Sequence, residues 1–346
     1  MELVDRFRGS MLGLAIGDAL GHPTEFIASV DRIRAKYGPE GIRAFAASGS
    51  HAAGTFTDDT QMTIAVARAL ARAGKQSVDD LMRVTGEEFV AWAQHPSNNR
   101  APGGTCLAGC RNLANGAPWR QAGVKESKGC GAAMRAAPVG LYFFDDDDAL
   151  VRVAAAQSTL THAHPTGIAS GVAAAAPVAW ACRGRGLDGM VAYTKAMVQR
   201  LTPELLVELG SHDKDARDIG VAEMVQILDE IEPLLAEDHE DVCQLLGGAW
   251  VGEEAVATAL WCVLKAGGDF DQSIFRGANS SGDSDSIACI AGSIAGALGG
   301  VDGIAKRWVD GVERAADLDL LARKMCEARA HGDIPSLGGS LDFFDI

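Results

Sequence analysis

Gly282-Asp283-Ser284-Asp285-Ser286-Ile287-Ala288-Cys289-Ile290-Ala291-Gly292-Ser293-Ile294-Ala295-Gly296-Ala297-Leu298 sets two carboxylates and a serine hydroxyl directly ahead of an apolar run. Within that run Ile287, Ile290, Ala291, Ile294 and Leu298 recur at helical spacing, which predicts a helix with an acidic head. Gly292 and Gly296 stand one turn apart and leave a groove where another helix backbone can lie close. More than two hundred residues earlier, Thr57-Asp58-Asp59-Thr60 heads a second apolar helix, with Met62, Val66, Ala69 and Leu70 on one face. Alternating Val/Ile/Thr runs are scarce and Gly- and Pro-marked breaks are frequent, so the expected fold is all-α.

Thr, Asp and Ser before an apolar helix are also ordinary N-caps. A single cap needs only one such residue, whereas Thr57, Asp58 and Asp59 are consecutive, and Asp283 with Asp285 brings two like charges close together. That arrangement is unfavourable unless a cation or hydrogen bonds compensate. Hydroxyl and carboxylate oxygens are the ligand set of Mg²⁺ and Mn²⁺ rather than of thiolate-seeking metals. Glu25, on a Gly/Pro-shaped loop after Gly17-Asp18-Ala19-Leu20-Gly21, is a candidate third contribution.

The length of 346 residues allows two domains, but two acidic clusters sharing one site favour a single domain over 1–346, with the charge-dense stretch 183–241 as peripheral helices. A net charge of -15 argues against direct nucleic-acid binding or attraction to anionic membranes. The eight cysteines show no zinc-type spacing, which predicts reduced thiols. The N-terminus does not read as a signal peptide, and the apolar stretches Gly167 to Cys182, interrupted by Pro177, and Ile287 to Gly300 are short for a bilayer span; cytoplasmic residence is the expectation. Asp145 to Asp148 reads as a helix N-terminal signal.

Two glycine-bearing loops suit phosphate or ribose. Ser127-Lys128-Gly129-Cys130-Gly131 offers backbone N–H groups ahead of an expected helix, although it is neither a Walker A nor a GxGxxG sequence. Arg100-Ala101-Pro102-Gly103-Gly104-Thr105 reads equally as a tight turn entering a helix. In Thr161-His162-Ala163-His164-Pro165, one histidine is expected to face a substrate and the other to order a turn.

Taken in order, these segments resemble the ADP-ribosylglycohydrolase family, including the dinitrogenase-reductase-activating glycohydrolases. The resemblance runs from Gly9 to about Gly300 and rests also on Gly129 to Arg135 and Gly248-Ala249-Trp250-Val251-Gly252-Glu253-Glu254. It implies an all-α fold in which Thr57, Asp58, Asp59, Asp283, Asp285 and Ser286 hold two Mg²⁺ or Mn²⁺ ions in a central cleft, with Glu25 approaching one of them. Ser127, Lys128, Gly129, Cys130 and Gly131 would then cradle the pyrophosphate, Gly103 and Gly104 would lie near the distal part of the ligand, and His162 would face the ADP-ribose. Serine at 286 stands where the family usually has threonine, and Cys130 where asparagine is common.

The implied activity is hydrolysis at the anomeric carbon of ADP-ribose, with Glu25 or Asp58 as the proton-shuttling carboxylate and Glu25 preferred. The expected partner is an ADP-ribosylated protein or an ADP-ribose derivative, arginine-linked first and serine-linked or O-acetyl second. A non-catalytic ADP-ribose-binding protein and a phosphohydrolase are the competing readings.

Overall fold

The structure is a computed structural model that describes residues 1–96, 98–210 and 216–338. The expected domain limits and the 183–241 region therefore extend in part outside the described residues. Among those residues there is no strand, and the extended pairings are single bridges such as Gly129 with Val251. The all-α expectation holds. One continuous apolar core runs from Phe7 in the first helix to Leu337.

At its centre the N-terminal helix, Leu3–Gly21, lies along Ser284–Gly299. Gly9, Gly13, Gly17 and Gly21 repeat at four-residue spacing on the N-terminal helix. A Cβ on any of the first three would overlap the backbone carbonyl of Gly296, Gly292 or Ala288 in turn, and one on Gly21 would stand 2.5 Å from Asp285 Cα. Gly292 and Gly296 meet Gly13 and Gly9 in return. The groove foreseen at Gly292 and Gly296 thus receives the N-terminal helix, with backbone against backbone. Closeness here fixes where Asp18 and Asp285 stand, because both occupy the same contact.

Asp58–Ala73 packs beside this pair and is buried on nearly every face, Met62, Val66, Ala69 and Leu70 included. The apolar helix Pro165–Cys182 continues through Pro177 instead of breaking there. An interior proline removes one helical hydrogen bond and crowds the preceding turn; here the helix is walled in by neighbours, and 94% of its 18-residue apolar length is buried within the protein. It meets the length and composition of a bilayer span while serving as a core helix. Asp146 caps Asp147–Thr159 by accepting from Ala149 N at 3.0 Å, as the run Asp145 to Asp148 predicted. All eight cysteines are free thiols.

Candidate active site

Each acidic cluster sits at a helix head, and its side chains meet those of the other cluster and of the N-terminal helix. Thr57 is the N-cap of Asp58–Ala73, its Oγ1 accepting from Asp59 N at 3.3 Å. The capping reading and the shared-site reading are both realised, because the same hydroxyl lies 3.4 Å from Asp285 Oδ2 on the other cluster. A second link joins Ser286 Oγ, as donor, to Asp59 Oδ2 at 2.9 Å. Asp58, Asp59, Asp283, Asp285 and Ser286 line one cavity of about 310 Å³, and Glu25 stands on its rim. Thr57 is fully buried behind that wall.

Asp18, in the glycine-spaced N-terminal helix, organises the arrangement. It is fully buried. Its carboxylate accepts from Thr57 N at 2.9 and 3.0 Å, Thr57 Oγ1 at 2.9 Å, Thr60 N at 3.0 Å and Thr60 Oγ1 at 2.5 Å. Asp58 Oδ2 accepts from Gly103 N at 3.1 Å, which ties the second loop to the acidic head. Gly103 is the N-cap of Gly104–Ala114, so the tight-turn reading of that loop is correct, and Gly103 and Gly104 both border the cavity.

Gly129, Cys130, Gly131 and His162 line the same cavity, and Cys130 Sγ donates to Asp283 Oδ2 at 2.9 Å, which ties this loop directly to the acidic head. The loop enters a 3-10 turn, Cys130–Ala132, not an α-helix, and Cys130 N donates to Trp250 O at 3.2 Å. An expected helix dipole is therefore missing there, and one of the anticipated free N–H groups is already used. Ser127 Oγ sits 3.0 Å from Thr105 Oγ1, outside the cavity lining. Lys128 also points elsewhere: its ammonium pairs with Glu253 and, at 3.2 Å, with Glu223 on the peripheral helix Ala216–Asp229. That helix braces the loop as well as covering the core.

His162 is 2% exposed and its Nδ1 lies 2.8 Å from Thr161 Oγ1. Burial, reinforced by Arg135, pushes its pKa down to about 3, so the ring is neutral. Gly129 and Gly131 make room for it, since a Cβ on Gly131 would stand 2.9 Å from His162 Cε1. His164 instead caps Pro165–Cys182, accepting from Thr166 N at 3.2 Å.

Sequence reading missed the aromatic pair at the mouth. Phe26 and Trp250 stack with ring centroids 6.0 Å apart and stand exposed beside the cavity they both line. It also missed His22, one ring nitrogen of which lies within 4.8 Å of carboxylate oxygens of Glu25 and Asp285. Only spatial proximity reveals the latter, because His22 follows the helix end rather than an acidic run.

The charge balance of this cavity is one-sided. Among the described residues, Asp18, Asp58, Asp59, Asp283 and Asp285 form no ion pair with lysine or arginine. Burial, with Asp285 and other carboxylates nearby, pushes Glu25, Asp59 and Asp283 well above the usual carboxylate range; burial likewise raises Asp58, and Asp18 to about 7. Glu25 Oε2 is buried with no partner. Crowded, oxygen-only, uncompensated donors are what a hard divalent cation neutralises, so the residues present fit such ions. By contrast, a cavity of about 350 Å³ near Trp261 carries its own pairs, Arg34 with Glu240 and Arg276 with Asp238.

Residues 1–334 match the ADP-ribosylglycohydrolase family. An uncharacterized protein of Archaeoglobus fulgidus is 33% identical over 93% of this chain and 96% of its own length. The ADP-ribosylarginine hydrolase Tri1 of Pseudomonas putida is 27% identical, over 94% and 78% respectively. A solved ADP-ribosylglycohydrolase-related protein complex shares the fold with a TM-score of 0.72 and 23% identity, covering 95% of this chain and 99% of that one.

Proposed function

The chain belongs to the ADP-ribosylglycohydrolase family, an enzyme of ADP-ribosyl hydrolysis, and on that premise we propose that it releases ADP-ribose from a modified arginine side chain by metal-dependent hydrolysis at the anomeric carbon. The observation that carries this is the meeting of two remote acidic helix heads in one cavity, joined by Ser286 to Asp59 and Thr57 to Asp285. Thr57, Asp58, Asp59, Asp283, Asp285 and Ser286 would hold two divalent cations, Mg²⁺ or Mn²⁺. Bound there, such ions supply positive charge that orients the ribose hydroxyls and acidifies water.

The chain's own residues do the rest. With the cations' charge offsetting the neighbouring carboxylates, Glu25 would be ionised, and its carboxylate oxygen not held by a cation would take the proton from the attacking water as the water oxygen bonds to the anomeric carbon. The glycosidic C–N bond breaks with its electron pair going to the guanidine nitrogen, and the proton held by Glu25 passes to that nitrogen. Neutral His162 and the glycine-lined wall of Gly129 and Gly131 admit the sugar and phosphates without a competing charge. Arginine linkage is favoured by the similarity to the Pseudomonas putida hydrolase and by the open, aromatic mouth, which accepts a flat guanidinium.

Incubation with arginine-, serine- and O-acetyl-linked ADP-ribose, with and without chelator, tests the proposal. Free ADP-ribose, released fastest from arginine and abolished by chelation, is expected. Appearance of AMP would mean pyrophosphate cleavage, and binding without any product would mean a non-catalytic module.

A further inference from the structure

The acidic heads supply only oxygen donors, yet a nitrogen, from His22, lies beside Glu25 and Asp285, two of the carboxylates that line the cavity. The 3-10 turn His22–Thr24 ends the N-terminal helix and delivers His22 and Glu25 to the same side, toward Asp285. Ligand atoms of the three lie within 4.8 Å of one another, a spacing at which one cation contacts all of them. Two atoms in this group are buried and unpartnered, His22 Nδ1 and Glu25 Oε2, and Glu25 is only 8% exposed. The other ring nitrogen of His22 is engaged, lying 3.4 Å from His51 Nδ1. Metal-bound imidazoles commonly have their second nitrogen held in this way, which fixes the tautomer and the ring plane.

We propose that His22 is a nitrogen ligand to a divalent cation shared with Glu25 and Asp285, and that His51 orients it. The inference rests on the metal-binding reading above and adds to it a mixed nitrogen and oxygen site where the acidic clusters alone give oxygen. An imidazole adds little for Mg²⁺, which prefers oxygen, and strengthens binding of first-row transition ions. The site is thereby biased toward Mn²⁺ and its heavier neighbours over Mg²⁺, through a residue outside both acidic clusters.

Mn²⁺ itself is the probe. Electron spin-echo modulation of Mn²⁺ bound to the full chain should show coupling to a directly bonded imidazole nitrogen. The coupling should vanish in His22→Gln, persist unchanged in His162→Gln, and change in magnitude in His51→Gln, where the ring is no longer held; coupling identical to wild type in His51→Gln would remove the orienting role. Titration should show Mn²⁺ affinity falling roughly tenfold or more in His22→Gln, with Mg²⁺ affinity changing less. Bound Mn²⁺ without nitrogen coupling, or coupling unchanged in His22→Gln, overturns the role of His22 while leaving the metal reading intact. Failure of the wild-type chain to bind Mn²⁺ at all overturns the metal reading instead. If His22→Gln does not fold, loss of coupling in His162→Gln overturns the assignment, and its retention there supports it.

Discussion

Gly17 faces the carbonyl oxygen of Ala288 with no room for a methyl group between the two helices. The contact sits one residue from Asp18 and three from Asp285, so the same close approach that builds the core also sets the cavity's floor. Gly13 meets Gly292 in the same way. Gly13→Ala or Gly17→Ala must push the backbones apart, and overpacking of this kind costs about 1–3 kcal/mol and occasionally more. Calorimetry should show a lowered Tm for both. Gly186→Ala, where the added atom meets nothing within 4 Å, should leave Tm nearly unchanged.

Asp18→Asn separates an organising role from a direct one. The carboxylate satisfies four donors on Thr57 and Thr60, and an amide can accept with only one of its two heads. Leaving buried donors unmatched costs about 1–3 kcal/mol. Because Thr57 also reaches Asp285, divalent-ion affinity should fall about 10- to 100-fold, as for other residues that orient ligands from behind. Isothermal titration with Mn²⁺ measures this; unchanged affinity would show that Thr57 holds its place without Asp18.

The difference between what was and was not legible in the sequence follows from how each signal is encoded. Acidic helix heads at 57–60 and 283–286 are local patterns, and so were visible, as were the apolar faces behind them. Asp18 carries no such local signal, because a lone acid inside an apolar, glycine-spaced helix announces burial without saying what it touches. Gly292 and Gly296 showed a groove, whereas its occupant required matching them to Gly13 and Gly9 across the chain. The family resemblance implies that Lys128 belongs to the loop cradling the pyrophosphate; the direction of its long side chain depends on Glu223 and Glu253, which no local pattern displays. His22 lay in plain view and was silent for the same reason.

Replacing Lys128 tests that last point. Glu253 is 6% exposed and pairs with the Lys128 ammonium, so Lys128→Met removes the partner of a buried carboxylate. Since Lys128 is itself about one-third exposed, the expected loss of stability is modest, about 1–2 kcal/mol. ADP-ribose affinity should change no more than a few-fold. A large rise in Kd with unaltered Tm would place the ammonium on the phosphates instead.

Glu25→Gln keeps the size of the side chain and removes its ability to carry a proton. Turnover should fall by at least about 100-fold, the scale of general acid–base contributions, while ADP-ribose binding remains measurable by calorimetry. Normal turnover in this variant would transfer the proton-shuttling role to Asp58.

His162 links the cavity wall to the acid stability of the fold. Burial and Arg135 hold its pKa at about 3, against an ordinary value of 6.5. Between those limits the unfolded chain binds a proton that the folded chain refuses. The stabilising effect of the neutral ring is therefore complete above pH 6.5 and declines as pH falls toward 3, by up to about 1.4 kcal/mol per pH unit. His162→Gln has no such proton to take up. Its unfolding free energy, from urea titrations, should lie below that of the wild type at pH 7, and the gap should narrow steadily between pH 6.5 and pH 5. Parallel curves over that range would mean that the folded imidazole protonates as readily as the unfolded one, and that the wall of the cavity beside Gly129 and Gly131 is wetter than its 2% exposure implies.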